Sequence, residues 1–468
     1  MNFDLDAIAR QLPERRWFGG KGRTIGRVEV LDDCVVDDGP PALLLALVEV
    51  HYAAGEPELY QLPLLRDEDG TRDATEDPQR LGLFGELMAH GVSIKGSKGI
   101  FTFGGPGLDP LDPPGKSVRV VEAEQTNTSL VLDESFILKL FRRVDIGPNP
   151  DLELTRALTT EGFEHVPSQV GEITYEAETD DGMIEVDLGI AQSFARDAVE
   201  GWEEILRRLG DLFAQAHPED AREDYALLIE ERWDLTTIEE LGDATAALHV
   251  ALAREEMEPA LAPEPIEPSD LAAWCDSALA ALQREERESP EKLRPLVPAI
   301  AEQIERLRSI TDPGWKMRIH SDYHLGQVLT TPRGWLIIDF EGEPARSLEE
   351  RRSKHSPLRD VAGMLRSFNY AAVAARLKAE GEQDTGSVEA WSMAWEQLAR
   401  ERFLQAYLRK SHEGRFLPHD RDELMSMLAV FELDKALYEL GYERRHRPEW
   451  KHIPLQGIRH LVTQEQRS

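Results

Sequence analysis

Cysteine is nearly absent from this chain: only Cys34 and Cys275 occur, far apart in sequence. Two isolated thiols build neither a disulfide framework nor a thiolate zinc site. Basic charge is also short. Lys and Arg number 53 against 88 Asp and Glu, a formal net charge of -35. That balance repels nucleic acid and anionic membranes, which are held by basic surfaces, and reads as a solvated acidic shell. No apolar run approaches the ~18 residues of a membrane span, and the opening "MNFDLDAIARQLPERRWF" lacks the charged-then-apolar pattern of a signal peptide. The expectation is a cytoplasmic protein with no nucleic-acid and no membrane partner. With 41% hydrophobic residues over 468 positions, two or three units with sizeable cores are expected.

Several catalytic signatures are missing as well. "GVSIKGSKG" (91–99) approaches the phosphate-loop pattern but transposes its last Lys and Ser, and no strong helix follows; a turn is the better reading. "GGKGR" (19–23) has no preceding strand. His320 and His324 stand four apart without the Glu of H-E-x-x-H, and no G-x-S-x-G elbow occurs. Zinc-hydrolase and serine-hydrolase chemistry are therefore disfavoured.

The chain divides by pattern. Residues 1–16 read as a short helix, and 26–65 as an antiparallel sheet of three runs. "FGGPGLDPLDPPGKS" (103–117) is dense in Gly and Pro and reads as a linker. Strands follow on both sides of "EQTNTS", then "FILKLF", then a helix announced by Asn149-Pro150-Asp151, with Leu152, Leu154 and Leu158 near one face. Another strand pair closes this part. From Trp202 the spacing is helical to the end, interrupted by an acidic Pro-rich loop (255–270) and one strand-loop-strand, "KMRIHSDYHLGQVLTTPRGWLIIDFE".

That interruption carries the chemistry. Phosphoryl transfer of the protein-kinase type needs an Asp that accepts or orients the substrate hydroxyl, an amide a few residues on, and a second Asp after the next strand to hold Mg²⁺ against the phosphates. His320, Asp322 and Gln327 fit H-x-D-x-x-x-x-N with Gln for Asn, and Asp339 follows the next strand. Asp322 is assigned as the catalytic residue, and Gln327 and Asp339 as Mg²⁺ ligands through hard oxygen donors. Upstream, Lys139 sits inside an apolar strand, where a charge needs an anionic partner. ATP phosphates and Glu153 on the next helix are expected to supply it. Thr126, Asn127, Thr128 and Ser129 form the expected phosphate-covering turn, and "LGIAQSF" the adenine hinge. On the late helix "FELDKALYELGYE", Glu432, Lys435, Glu439 and Tyr442 share a face with Tyr438 beside it. These are groups suited to sugar hydroxyls and ring faces. They are expected, with Asp322 and His324, to bind the acceptor. Arg359 and Asp360 read as a brace for the catalytic loop.

The blocks "HSDYHLGQVL", "IDFEGEPARSLEERRSKHSPLRDVAGMLRSFNYAA" and "FELDKALYELGYERRHRPEWKHIPL", with "LPERRWFGGKGR" at the start, resemble the maltokinase family, sugar kinases also found fused to trehalose synthase. The resemblance covers nearly the whole chain. It implies an α+β, protein-kinase-like and aminoglycoside-phosphotransferase-like two-lobe fold: an N-terminal β-rich cap (1–110), an intermediate nucleotide lobe (111–200) and a helical C-terminal lobe (201–468). It implies ATP-dependent phosphorylation of maltose at the anomeric hydroxyl, with Mg²⁺ as cofactor, for trehalose-to-α-glucan conversion, and trehalose synthase as a partner. One departure stands out: Ser321 replaces the family's usual Gly in His-Gly-Asp. The alternatives are another sugar kinase, such as a glucosamine kinase, or a silent nucleotide- or sugar-binding partner of a glucan-synthesising enzyme.

Overall fold

The computed structural model describes residues 5–68, 70–121, 126–180, 182–215, 224–255, 257–343, 346–379, 385–412 and 414–465. The chain forms two compact units, Met1–Arg196 and Asp197–Ser468.

The first unit is mainly sheet. Strands β1 (Ile25–Asp37), β2 (Ala42–Tyr52) and β3 (Glu58–Asp67) pair antiparallel in sequence order, with the short β4 (Gly70–Asp73) on β3. A second sheet contains β5 (Ser93–Lys95), β6 (Gly99–Gly104), β7 (Val118–Val120), β8 (Thr128–Leu132) and β9 (Phe136–Leu140). The short β10 (Arg143–Val144) instead returns to pair with β3. The second sheet is completed by β11 (Gln169–Thr179) and β12 (Gly182–Ser193), in the order β5-β6-β11-β12-β9-β8-β7.

The apolar run of β2 explains how the two sheets of this unit join. Successive strand residues point to opposite faces. Leu43, Leu45 and Leu47 enter a core shared with Leu130, Leu138, Leu152 and Ile190 of the second sheet and its helix. Ala46, Val48 and Val50 enter another with Ile8, Leu12 and Phe18. A strand buried on both faces has no polar alternation, as its sequence shows.

The stretch 103–117, read as a linker, is packed tightly. A Cβ at Gly82 would lie 2.1 Å from the carbonyl oxygen of Gly115, and one at Gly85 would lie 2.4 Å from that of Pro114. Its small residues let it lie against the helix Gly82–His90. The glycine-rich 91–99 turn is occupied from within: buried Asp32 accepts the backbone N–H groups of Ser97, Lys98 and Gly99, the Ser97 hydroxyl and the Tyr175 hydroxyl.

The second unit is helical around one small hairpin, Val328–Thr331 with Gly334–Ile337. Long helices Thr236–Leu252, Leu358–Ala379, Thr385–Ser411 and Arg421–His446 build its core, with Trp391 and Trp395 fully buried. Among the described residues no helix is long and apolar enough to cross a membrane.

Candidate active site

The hairpin explains why an acid-amide-acid order is useful. Val328 pairs with Ile337, so the residues just outside this pair, Gln327 and Asp339, meet. The Gln327 backbone carbonyl accepts from Ile338 N–H at 3.0 Å, and its side-chain amide donates to Asp339 Oδ2 at 3.0 Å. Asp339 leaves the strand with φ of +68°, a left-handed conformation that Asp tolerates better than most residues. An amide oxygen and a carboxylate at this corner are the hard donors a Mg²⁺ ion takes, so the residues fit the implied cofactor.

Asp322 lies in the loop before the hairpin. Its carboxylate accepts from Lys435 Nζ at 3.1 Å, and the same ammonium reaches Glu343 Oε1 at 2.9 Å. Glu343 is held in turn by Arg346 at 2.7 Å. Burial pushes the Asp322 carboxyl up, but Lys435, and less strongly His324, outweigh it and hold the group at about 2. Burial also works against charge on Lys435, yet Asp322 and Glu343 together keep its ammonium above the ordinary value. A carboxylate this acidic is a weak proton acceptor. It suits orienting a hydroxyl and receiving its proton late, as a loose phosphoryl transition state requires.

The loop is locked from behind. Asp360, in the first turn of Leu358–Ala379, accepts the backbone N–H of His320 at 2.8 Å and of Ser321 at 2.9 Å. Buried His249 stands 3.3 Å from the same carboxylate, with the Tyr407 hydroxyl 2.9 Å from its other ring nitrogen. His320 Nε2 donates to the Ile338 carbonyl at 2.9 Å, tying loop to hairpin. Gly363 allows the helix this close, since a Cβ there would lie 2.5 Å from the Tyr323 carbonyl oxygen. Ser321 takes φ of +69°, the region glycine enters without penalty. Thus the brace anticipated at Arg359 and Asp360 acts through Asp360 and backbone amides. Arg359 itself reaches Asp434 at 3.4 Å and His355 at 2.9 Å.

The late helix divides its charged face among different tasks. Lys435 and Tyr438 belong to the Asp322 cluster, the Lys435 ammonium lying 5.1 Å from the Tyr438 ring centre. Glu432, 3% exposed, pairs with Arg400 through both oxygens. Glu439 accepts twice from the buried Arg366. His324 Nε2 is 3.8 Å from Asp322 Oδ2, and its Nδ1 accepts the Gly326 N–H.

In the first unit Lys139 on β9 is bonded to Asp151 at 3.0 Å. This is the residue two before Glu153, in the helix Pro150–Thr160 that Asn149 caps. Thr128 accepts from the fully buried Arg142 at 2.8 Å, and the Asn127 side chain receives the Arg142 backbone N–H at 3.4 Å. That guanidinium also bonds Asp73 at 3.0 Å and stands 4.7 Å from the Trp17 ring centre, linking the turn to the cap. Thr126 accepts from the Asn127 amide at 3.4 Å, and Ser129 lies in register with Lys139. Glu124 and Gln125, which begin the expected turn, lie outside the described residues. The sequence pattern gives Asp151 only as part of a helix start and Glu343 only as one of a polar cluster, assigns neither a site role, and leaves Arg346 unmarked. Asp151 offered a signal, being an acid in the first turn of a capped helix after a strand lysine.

Comparison with known proteins fits this architecture. Residues 12–89 match the family model of the maltokinase N-terminal cap domain. The chain is 27% identical over 353 residues to a glucosamine kinase of Streptacidiphilus jiangxiensis, covering 72% of this chain and 71% of that one. It is 25% identical over 339 residues to a glucosamine kinase of Mycolicibacterium smegmatis, covering 72% and 77%. Among solved structures it is similar to a glucosamine kinase (crystal form B), with a TM-score of 0.71 and 20% identity over 99% of this chain and 100% of that one. A glucosamine kinase in complex with glucosamine, ADP and inorganic phosphate gives a TM-score of 0.68 at 19% identity, covering 98% and 99%. The α+β, kinase-like fold implied by the sequence is therefore the fold of the chain. The resemblance to the maltokinase family holds at the level of this match: residues 12–89 are similar to the maltokinase N-terminal cap domain, and the relatives over 72% of the chain are named glucosamine kinases.

Proposed function

We propose that the protein transfers the γ-phosphoryl group of ATP to the anomeric hydroxyl of maltose, giving maltose 1-phosphate and ADP. The bond from the γ-phosphorus to its bridging oxygen breaks, and a bond from phosphorus to the sugar O1 forms. The hydroxyl proton passes to Asp322. Gln327 and Asp339 would hold Mg²⁺, which when bound neutralises charge on the phosphates. Lys139, steadied by Asp151, would hold phosphate oxygens, with Thr126–Ser129 as the phosphate-covering turn and Glu153 supporting the same lobe. Asp322, His324, Lys435 and Tyr438 would contact the acceptor. Glu432 and Glu439, paired with Arg400 and Arg366, would act on the sugar indirectly by fixing the helix that carries Lys435.

The observation that favours a neutral sugar is Lys435 itself, an ammonium 3.1 Å from the catalytic carboxylate. A second ammonium, on an amino sugar, would meet like charge there. Glu343, Glu432 and Glu439, which could offset it, are already bonded to Lys435, Arg346, Arg400 and Arg366. The glucosamine-kinase reading is kept because both relatives above carry that name.

Initial rates of ADP release across maltose, glucose, glucosamine and trehalose, with analysis of the product's reducing end, decide between them. Maltose is expected to be the best acceptor and to give a non-reducing ester. Asp322→Asn should lose ~10²–10⁴-fold in turnover with ATP affinity unchanged. Preference for glucosamine would overturn the maltose reading. ATP binding with no sugar turned over would favour a silent partner.

A further inference from the structure

The first sheet carries a group of ligand-type side chains that no step above uses. Glu29 on β1 stands directly opposite Glu49 on β2, and Arg27 stands opposite His51 two places along. Positions two apart on a strand share a face, so all four side chains meet on one side of the ladder. Two carboxylates facing each other across a ladder repel unless a cation lies between them. Arg27 answers only part of that demand, reaching Glu29 Oε1 at 3.2 Å.

The other oxygens converge on the imidazole. His51 Nε2 lies 2.7 Å from Glu49 Oε2 and 3.5 Å from Glu29 Oε2. That nitrogen is closed off from water and makes no hydrogen bond, so the short approach of Glu49 is not a shared proton. A buried polar atom without a partner is costly and calls for an explanation. One nitrogen and two carboxylate oxygens thus gather within 4.8 Å of one another, with no hydrogen bond joining the nitrogen to either oxygen.

We infer that Glu29, Glu49 and His51 form a site for a zinc-class divalent cation that clips the edge strand β1 to β2. Imidazole with carboxylates suits a borderline first-row ion, whereas Mg²⁺ takes oxygen donors. Zinc–ligand bonds of about 2.0–2.2 Å put neighbouring donors roughly 3–3.5 Å apart, a spacing that small rotations of these partly exposed side chains supply. Three protein donors leave the fourth tetrahedral position to water. Glu49 also lines a cavity of about 520 Å³, which offers the entry path an aqueous ion needs. The site lies within the residues that match the cap model and uses nothing of the sugar chemistry, so either proposal can fail alone.

Equilibrium dialysis of the whole chain against zinc tests it, with bound metal read by atomic absorption. Excess Mg²⁺ in the buffer fills sites built from oxygen alone. The parent should hold one zinc ion per chain that His51→Gln and Glu49→Gln each bind about tenfold or more weakly. Zinc should also raise the melting temperature of the parent and leave that of both variants in place. If either variant fails to fold, Glu29→Gln, whose side chain is half exposed, carries the same comparison. Equal zinc binding by parent and variants overturns the site, as does binding that Mg²⁺ abolishes. A melting temperature lowered in His51→Gln but indifferent to zinc in the parent also overturns it, since a protonated His51 would then be the cation between the carboxylates.

Discussion

Two lysines, one in each unit, carry the polar chemistry and are stationed differently. Lys139 comes from the middle of a strand and bonds a carboxylate at the start of the following helix. Lys435 comes from the middle of a long helix and bonds two carboxylates, one of them Asp322 itself. Removing an ion-pair partner leaves a desolvated charge without compensation, which costs several kcal/mol. For Lys139 that partner is Asp151, at the start of the following helix. For Lys435 it is the residue at the centre of the proposed reaction. Under the proposed function the two positions would therefore separate nucleotide binding from the acidity of Asp322.

The largest effect that tests this comparison is expected from Lys435→Met. Without its ammonium, burial dominates at Asp322, and the carboxyl rises from about 2 toward or beyond the usual range. Because the charged form is the active one, activity is present above the Asp322 pKa and lost as pH falls through it. The acid limb of the kcat profile should therefore move to higher pH, with kcat down by ~10²-fold at neutrality. The same sign governs stability: the depressed carboxyl contributes above its unfolded value of about 3.9 and loses that contribution as pH falls toward about 2. An unmoved acid limb would detach Lys435 from catalysis.

A smaller and differently shaped effect is expected from Lys139→Ala. KM for ATP should rise about tenfold or more while the pH profile keeps its shape. Unchanged ATP kinetics would take Lys139 out of the nucleotide site, and a shifted acid limb would merge the two roles separated above. The smallest effect belongs to Ser321→Gly. Relief of a side chain at φ of +69° should stabilise the fold by about 1 kcal/mol, readable as a higher melting temperature, with turnover changed less than threefold. A loss of stability would mean that the Ser321 side chain supports the loop.

Local patterns were legible in the sequence where the physics is local. Alternation and β-branching located β1–β3, and Asn149-Pro150 announced a helix whose Leu152, Leu154 and Leu158 are fully buried. The acid-amide-acid order was readable because a hairpin converts sequence spacing into proximity. Partners drawn from distant segments left no local trace. Nothing around Glu432 or Glu439 names Arg400 or Arg366 as their counter-ions, so four charged and aromatic residues at helical spacing read as one binding face. Asp151 was passed over for Glu153 because both fall in the first turn and a one-dimensional pattern does not weigh two residues of offset. The Gly- and Pro-rich 103–117 stretch misled for a related reason: the same residues that loosen a tether also permit the closest packing of backbones.

The two-sided burial of β2 bears on how the chain is made. Its Ala46–Val48–Val50 face can be covered as soon as residues up to about 64 emerge from the ribosome, since its partners precede that point. The Leu43–Leu45–Leu47 face waits for partners as late as Ile190. At synthesis rates of about 5–20 residues per second, that leaves one apolar face incompletely covered for on the order of ten seconds. The second sheet therefore completes the core of the first as much as the first completes the second.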